Sequence, residues 1–276
     1  MTGTKIVKLN LDGAADKLPA LREDITDRAS NLFKSGLDYF GSTEEHYKRI
    51  LKDTGNMSAS NAELQLILCR LEEEHGEQKW YAPKAGIFLS AFMQNSQENK
   101  FRIVARKPLD YLGYKLGKGK QVTVDGDVGD YAGAKMDGGS LTIKGNAGIK
   151  TGYMLNRGEI LVEGDSGDST GENNISGIIT VGGNVPGRTG NGMKGGKVTI
   201  KGNAGRQTGY GMKDGIVHVH GDMGIETGAS MFGGRIEVDG NIQAYDVEWL
   251  QGNTWGKQFF KGEIWNKGKR VWPKEE

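Results

Sequence analysis

Two histidines separated by one residue are the best candidates for chemistry in this sequence. His218 and His220 have this spacing, and Glu237 and Asp239 repeat it nineteen positions later. If both segments are neighbouring β-strands, alternate side chains project from one face, and four potential ligands lie within about 5 to 8 Å of each other. Imidazole nitrogens and carboxylate oxygens bind Zn²⁺. One interpretation is therefore a metal site on an exposed sheet face, with four ligands: His218, His220, Glu237 and Asp239.

The same four residues also fit a plain structural interpretation. Outward positions of an exposed sheet are polar in any case, as Thr199 and Lys201 are nineteen positions before the histidines. The equivalent residues Asp125, Lys144 and Glu163 alternate in sign. Charge complementarity between strands explains that alternation at roughly 0.2 to 1 kcal/mol per pair. We therefore expect an exposed polar face first, with the metal site as the alternative.

Two other binding patterns are incomplete. Segment 164–177 is rich in carboxylates and amides, but its carboxylates do not recur in the following units as a calcium-binding roll requires. The glycine-containing loops lack the Lys-Ser/Thr pair and the following helix of a phosphate-binding loop. We expect a surface turn or a partner contact at 164–177, no phosphate site and no assembled catalytic residues. The acidic segment contains Asp165, Asp168, Glu172, Asn173 and Asn174.

Composition excludes several classes of function. The 36 basic and 35 acidic residues leave a net charge of +1, which disfavours a nucleic-acid partner. The single cysteine, Cys69, excludes an intrachain disulfide and a cysteine-bound iron–sulfur cluster, and we expect it to be a buried structural thiol. No apolar run approaches the ~20 residues that span a bilayer, and the first ten residues do not resemble a signal peptide. These features predict a cytoplasmic protein with no membrane or nucleic-acid partner.

The spacing of glycine predicts the element that positions all these side chains. Glycines number 45, and 31 of them fall within 121–240. Each short apolar alternation in this region ends at a glycine, followed directly by Asp or Asn, and the spacing of these glycines is constant at nineteen positions. The seven glycines are Gly126, Gly145, Gly164, Gly183, Gly202, Gly221 and Gly240.

A 19-residue unit is too short for a strand, a crossover helix and a return, so the repeat predicts a parallel β-solenoid. We call each unit a coil. The crossover rule favours a right-handed β-helix of about seven coils. We expect the glycines, and the Asp or Asn after them, to adopt positive φ at tight corners. Ile103 and Ala105 fall in phase with the strands, so 102–120 is expected to form a degenerate first coil.

Inward side chains of successive coils should stack in rows. One expected row contains Met136, Leu155, Asn174, Met193, Met212 and Met231. A second contains Thr151, Thr170, Thr189, Thr208 and Thr227. Methionine usually fills cores, so we expect no metal or haem role for the first row.

Two copies of a GxxGxxxG pattern stand out within the repeat. They lie at Gly145, Gly148 and Gly152, and at Gly202, Gly205 and Gly209. This pattern resembles the GXGXG domain family, which includes the C-terminal domain of the glutamate synthase large subunit and one of the subunits of formylmethanofuran dehydrogenase. The resemblance covers 101–245. It implies a right-handed β-helix without catalytic residues that packs against catalytic domains or subunits.

The N-terminal end differs from the repeat. Val7, Leu9 and Leu11 suggest a short strand. Helices are predicted over 18–34, 42–53 and 60–74. Ser42 and Glu45 make a capping box at the start of the second, and the third has an apolar stripe of Leu64, Ile67, Leu68 and Leu71. A strongly apolar run at 86–93 directly precedes the repeat, so we expect it to cover the first coil.

The C-terminal end is rich in tryptophan. Four of the five tryptophans follow the last repeat, where two roles are open, capping of the last coil or docking of a partner. These are Trp249, Trp255, Trp265 and Trp272.

The predicted architecture is mostly β, with a helical domain at 1–100, the β-helix at 101–245 and an aromatic segment at 246–276. The expected function is that of a non-catalytic scaffold subunit of a multisubunit oxidoreductase, with no cofactor bound by this chain. Its expected partners are other protein subunits, and a homo-oligomer is also considered. The alternative is a stand-alone β-helix enzyme or a metal-binding protein that uses the face of His218 and His220.

Overall fold

The computed structural model describes residues 23–35, 42–55, 60–243 and 262–272. Within these ranges the chain forms four helices and twelve strands. The helices are α1 (Glu23–Ser35), α2 (Thr43–Asp53), α3 (Asn61–His75) and α4 (Tyr81–Asn95). The strands are β1 (Lys100–Ile103), β2 (Gln121–Val124), β3 (Asp137–Ile143), β4 (Arg157–Val162), β5 (Ile178–Val181), β6 (Val185–Gly187), β7 (Lys194–Ile200), β8 (Ala204–Arg206), β9 (Asp214–Val219), β10 (Arg235–Val238), β11 (Glu263–Asn266) and β12 (Lys269–Trp272).

The main sheet confirms the predicted parallel β-solenoid of about seven coils. Its ten strands follow the order β1-β2-β3-β4-β5-β7-β9-β10-β11-β12. From β2 to β10 the inward residues pair in a constant 19-residue register, as Val122 pairs with Leu141 and Val217 with Ile236. The pairing is parallel except between β11 and β12. A second sheet joins β6 and β8 at one corner of the coils. The right-handed sense of winding stays a prediction.

The first coil is two residues longer than expected. Phe101 pairs with Val122 and Ile103 with Val124, so this coil has a 21-residue register. Ile103 occupies an inward strand position as predicted, but the second inward position belongs to Phe101, so the prediction for Ala105 was wrong. A constant 19-residue phase cannot be extended backwards across a coil with a different number of residues, and Ala105 lies beyond the strand.

The interior consists of stacked rows of side chains. Every inward residue of the main-sheet strands β2 to β10 is at most 2% exposed, and the predicted methionine row is buried to the same degree. The threonine row is also buried, and four of its hydroxyls donate to the carbonyl oxygen three residues earlier at 2.9 to 3.1 Å. The Thr189 hydroxyl lacks a partner, and the residue three before it is Pro186 where the other units have glycine. Hydroxyls that bond within their own coil can enter an apolar core at little cost.

The seven repeat glycines follow their strands, but for a reason other than the expected one. Only Gly126 has a positive φ, of 127°. At Gly221 a Cβ atom would lie 2.5 Å from the Gly202 carbonyl oxygen and 2.7 Å from its carbonyl carbon. Glycine is required here because the backbones of adjacent coils come too close for a side chain. Positive φ occurs instead seven positions later in each coil, where φ is between 66° and 74°. Those glycines are Gly133, Gly152, Gly171, Gly190, Gly209 and Gly228.

The Asp or Asn after each glycine links one coil to the next. Its side-chain oxygen accepts the backbone N–H of the equivalent residue in the following coil at 2.6 to 2.9 Å, as Asn203 does for Asp222. None of these residues has positive φ, which corrects that part of the prediction. We call this row the Asx ladder. It contains Asp127, Asn146, Asp165, Asn184, Asn203, Asp222 and Asn241.

Helix α3 covers the open edge of β1 and the residues after it. The Asn61 and Gln65 side chains accept the backbone N–H groups of Arg102 and Val104 at 2.7 and 2.9 Å. The Gln65 amide also donates to the Val104 carbonyl at 2.8 Å. Side chains of α3 thus replace the missing strand at the edge, where exposed backbone groups would otherwise pair with other chains.

Capping boxes begin both α2 and α3. Ser42 precedes α2, and its hydroxyl accepts the N–H of Glu45, whose carboxylate accepts the Ser42 N–H in return. Ser60 and Glu63 form the same arrangement at the start of α3. The helices predicted at 42–53 and 60–74 are therefore confirmed, each displaced by a residue or less at its ends.

Helix α4 contains the apolar run 86–93 and packs on the first coil. A side chain at Gly86 would overlap the carbonyl group of Asp110, so the helix and the coil are in direct backbone contact. The Ser90 hydroxyl accepts the N–H of Gly113 at 2.8 Å. The run was not predicted to be helical because its apolar residues show no 3.6-residue period. No helix in the described part of the chain has the length and apolar character needed to cross a membrane.

Helix α2 is held on the first two coils by Glu44. Its carboxylate accepts the Tyr114 hydroxyl at 2.8 Å, pairs with Lys115 and lies 3.4 Å from Lys135. The hydrogen bond from Lys115 is the main reason that the pKa of Glu44 falls from 4.5 to about 2, and Tyr114 and Lys135 lower it further. The predicted strand at residues 7–11 and the start of the first predicted helix, at 18–22, lie outside the described residues.

Replacing Glu44 by Gln should destabilise the protein at neutral pH by about 1 to 2 kcal/mol, because a half-buried charge-assisted network is lost. The folded-state pKa lies below the unfolded value, so the stabilisation is complete above pH 4.5 and is lost as the pH falls toward 2. Urea unfolding at several pH values measures this. The exposed Glu73→Gln variant is the control, and a stability difference independent of pH would contradict the prediction.

A glycine in close backbone contact and a positive-φ glycine in open space, Gly211, should differ in mutational cost. Gly221→Ala should destabilise by about 3 kcal/mol or more, because the methyl group would force adjacent coils apart. Gly211 has φ of 61° with nothing within 4 Å of its Cβ position, so Gly211→Ala should cost only about 1 to 2 kcal/mol of backbone strain. Chemical denaturation compares the two variants, and equal costs would refute the close-approach explanation.

Candidate functional site

Three of the four predicted ligands meet at the carboxyl ends of β9 and β10: His218 lies in β9, and His220 and Asp239 directly follow β9 and β10. A ring nitrogen of His218, a ring nitrogen of His220 and a carboxylate oxygen of Asp239 all lie within 4.8 Å of one another. His218 Nε2 lies 3.1 Å and His220 Nδ1 2.6 Å from Asp239 Oδ2. The imidazole rings are 4.2 Å apart and tilted by 46°. We call these three residues the His–His–Asp cluster.

Glu237 lies beside the cluster and outside the set of converging ligand atoms. Its Oε2 is 3.9 Å from His218 Nδ1, and its Oε1 is 3.5 Å from Arg235. The strand register places Glu237 opposite His218. Glu237 therefore contacts the ring edge of His218 that faces away from Asp239.

The electrostatics of the cluster favour an ionised carboxylate. Partial burial alone would raise the pKa of Asp239, but the hydrogen bonds from His218 and His220 outweigh it and lower that pKa. The side chain of His218 is 20% exposed, that of His220 is 45% exposed and that of Asp239 is 54% exposed. The site is thus an anionic oxygen flanked by two imidazoles on an open surface, which suits an ion rather than an enclosed substrate.

The C-terminal segment extends the sheet beyond the last 19-residue coil. Ile264 in β11 pairs with Ile236, continues the inward row and is 1% exposed. Trp265 lies outward, where its indole N–H donates to Glu263 at 3.0 Å and its ring lies 5.1 Å from the Arg235 guanidinium. Strand β11 therefore caps the last coil with an apolar side chain.

Of the other three C-terminal tryptophans, only Trp272 lies within the described residues. Trp272 in β12 is half-buried and packs against the core. Trp249 and Trp255 lie outside the described residues. Partner docking by the four tryptophans stays a prediction.

A groove of about 470 Å³ runs beside the Asx ladder across the later coils. Its polar wall includes Asp165, Asn184, Asn203 and Asp222, and its floor includes Met223, which is 1% exposed. The wall residues already bond to the neighbouring coils, and Asp165 and Asp222 are three coils apart. In the part of the chain that the structure describes, this groove has no paired acid and base.

The acidic segment 164–177 serves the fold. Glu172 pairs with Lys150 at 3.6 Å, so its charge is matched within the solenoid. The Asn174 side chain bonds to both backbone groups of Gly177 inside the core. The Asp165 carboxylate belongs to the Asx ladder. These carboxylates and amides do not converge on one point.

Two further predictions concern single side chains. Cys69 is half-buried rather than buried, and its sulfur lies 3.6 Å from the Gln65 amide, because it sits beside the apolar stripe of α3 and not within it. The Lys144 ammonium pairs with Asp125 at 2.9 Å, as the alternating charges indicated.

The edge-covering interaction of α3 is a feature that the sequence reasoning missed. Asn61, Gln65 and Glu72 bond to backbone N–H groups at alternate residues from Arg102 to Arg106. Asn61 and Gln65 are one helical turn apart on α3. This spacing of amide side chains was the available signal.

Together these features define the chain as a parallel β-solenoid that carries helices at its first coil and a histidine–carboxylate cluster near its last. No protein-family model matches the sequence, and no curated protein does so. Among solved structures, it is similar to a chain of the formyltransferase/hydrolase complex (FhcABCD) from Methylorubrum extorquens, determined in complex with methylofuran. The two chains are 22% identical with a TM-score of 0.47, and the match covers 59% of this chain and 77% of the other.

The C-terminal strand predicts a clear contrast between two adjacent residues. Ile264→Ala should cost about 2 to 4 kcal/mol, because it opens a cavity above the last coil. Trp265→Ala should cost about 1 kcal/mol, since it removes only a half-buried stack on Arg235. Thermal and urea unfolding test both, and similar small effects would contradict a capping role for β11.

Proposed function

We propose that this chain is a non-catalytic scaffold subunit of a multisubunit oxidoreductase complex, related to the formylmethanofuran dehydrogenase and glutamate synthase systems that its GXGXG-like repeat resembles. In this proposal the active sites and redox cofactors belong to partner chains. The solenoid supplies a rigid surface on which those chains assemble. The proposed compartment is the cytoplasm.

Exposed aliphatic side chains on the outward sheet face carry this proposal. Leu161 and Ile178 are 36% and 45% exposed and lie on the adjacent strands β4 and β5. Ile178 pairs with Glu159 and Leu161 with Thr180, so the two aliphatic residues are diagonal neighbours, roughly 7 to 8 Å apart. Ile175, at the corner just before β5, is 37% exposed. We call these three residues the aliphatic patch.

The surroundings of the aliphatic patch favour a protein partner. The patch lies among threonine and charged side chains, including Thr142, Glu159 and Lys197. Interfaces commonly combine an apolar centre with a polar rim. A sheet face with such a centre suits a broad protein contact.

The coil geometry also favours a scaffold over a stand-alone β-helix enzyme. From β2 to β10 each coil has the same length, so no long loop rises from the corners to form the walls of a cleft. The Asx ladder and the buried rows leave few outward positions at which catalytic groups could converge. The groove beside the Asx ladder adds few such positions, because its polar side chains already bond to neighbouring coils.

Replacing both Leu161 and Ile178 by Lys should release the partner subunits when the tagged protein is purified from its native host. Two charges at the centre of an apolar contact leave buried, unpaired ammonium groups in the complex. The melting temperature of the isolated chain should stay nearly unchanged, because both side chains are exposed. Mass spectrometry of the purified material identifies the chains that remain bound.

Ile225→Lys is the matched control, because Ile225 is 48% exposed and lies outside the strands of the main sheet. It should leave the partners bound. Native protein that purifies without partners and turns over a substrate alone would refute the scaffold proposal. A purified dimer that the double variant converts to monomer would instead assign the patch to a second copy of the chain.

A further inference from the structure

We propose that His218, His220 and Asp239 bind one divalent transition-metal ion, with Zn²⁺ as the best fit, on the outward face of β9 and β10. This site is independent of the aliphatic patch, which lies on β4 and β5 and the corner before β5. It gives the solenoid a binding function in addition to its proposed scaffold role.

The ligand atoms are close to the separations that Zn²⁺ requires. With Zn–N bonds of about 2.0 to 2.1 Å, tetrahedral geometry places donor atoms roughly 3.3 Å apart. His218 Nε2 is 3.1 Å from Asp239 Oδ2, and all three donor atoms lie within 4.8 Å of one another. His220 Nδ1, at 2.6 Å from the same oxygen, must move outward by about 0.7 Å to accommodate an ion. Both His220 and Asp239 are exposed, so such a movement meets little resistance from packed neighbours.

The backbone holds the three ligands in place before an ion arrives. His218 and His220 alternate with Val217 and Val219, which are fully buried, and Asp239 follows Val238, which is 1% exposed. The inward residues anchor β9 and β10 in register, and the Asp239 N–H donates to the Val219 carbonyl at 2.9 Å. His218 lies in β9, and His220 and Asp239 directly follow β9 and β10, where their backbone N–H groups still bond to the preceding coil. Little ordering free energy therefore opposes binding.

Glu237 fits an orienting role better than that of a fourth ligand. When His218 binds an ion through Nε2, its Nδ1–H points to the opposite side of the ring. The Glu237 carboxylate lies on that side, 3.9 Å away, and must approach by about 1 Å to accept this N–H. A carboxylate that accepts the free N–H of a metal-bound imidazole fixes the ring and raises its basicity. Glu237 is therefore a positioning residue, and the fourth coordination position faces solvent.

The cluster differs from the rest of the sheet face in a way that strand pairing alone does not explain. At the equivalent outward positions one coil earlier the chain has Thr199 and Lys201, so imidazoles at these positions are not a property of the repeat. Two of the four histidines in the sequence lie here, and both direct a nitrogen to one carboxylate oxygen. A simple ion pair needs one cation for one carboxylate, whereas two imidazoles around one oxygen match the ligand set of a zinc ion.

Calorimetric titration tests the proposal: the whole chain is first treated with a chelator and then titrated with ZnCl₂. The absorption spectrum of the Co²⁺-substituted protein reports the coordination geometry of the site. We expect one ion per chain and the visible spectrum of a tetrahedral cobalt site. The His218→Ala/His220→Ala double variant should lose binding, and Asp239→Asn should weaken it by about tenfold or more. The variants lie on an exposed face, so circular dichroism and the melting temperature should remain those of the parent protein.

Lys201→Ala with Thr199→Ala is the matched control on the same face, and it should bind Zn²⁺ like the parent protein. Glu237→Gln should retain one site per chain with affinity lowered about 10- to 100-fold, which separates orientation from ligation. Absence of Zn²⁺ binding by the parent protein, or equal binding by the double histidine variant, would overturn the proposal. Partner association is measured separately, so failure of one proposal leaves the other intact.

Discussion

The close stacking of one coil on the next is the constraint on which the rest of this structure depends. Parallel strands in the main sheet are separated by about 4.8 Å, and the corners must keep that spacing because no linker enters between coils. At Gly202, Gly221 and Gly240 the corner backbone touches the corner of the preceding coil so closely that a Cβ atom has no space. The 19-residue period follows from this contact, since an added or lost residue would shift the glycine out of its position.

The same stacking decides where polar groups can be used. Backbone N–H groups at the corner are satisfied by the side chain of the previous Asp or Asn, and buried threonines bond to carbonyls of their own coil. A contribution of about 0.5 to 1.5 kcal/mol per bond, repeated along the Asx ladder, adds to the burial of the inward rows. Polar side chains at these positions already have hydrogen-bond partners within the solenoid. Polar side chains that could contact a ligand lie on the outward sheet face.

The ends of the solenoid need separate solutions because a stacked array has no natural stop. At the first coil, α3 bonds to the open strand edge with side-chain amides and α4 packs on the coil through backbone contact at Gly86. At the other end, β11 continues the inward row with Ile264, and β12 reverses direction against it. Because helices and strands cover these two ends, the lateral faces stay accessible, and the aliphatic patch and the His–His–Asp cluster lie on them.

The linear sequence was enough to predict the parallel solenoid, its 19-residue coil, the buried rows, the helices α2 and α3, and the capping box of α2. All of these depend on a repeat or on residues a few positions apart, which the order of residues displays directly. The repeat also placed His218, His220 and Asp239 on one face, because the strand register equals the repeat length.

The reason for glycine at the corners came from the folded chain, because the Cβ clash is between two coils and cannot be seen from the sequence of one. The longer first coil, the cover of β1 by α3 and the displacement of Glu237 from the ligand set likewise required the folded chain, because each depends on contacts between segments that share no common period.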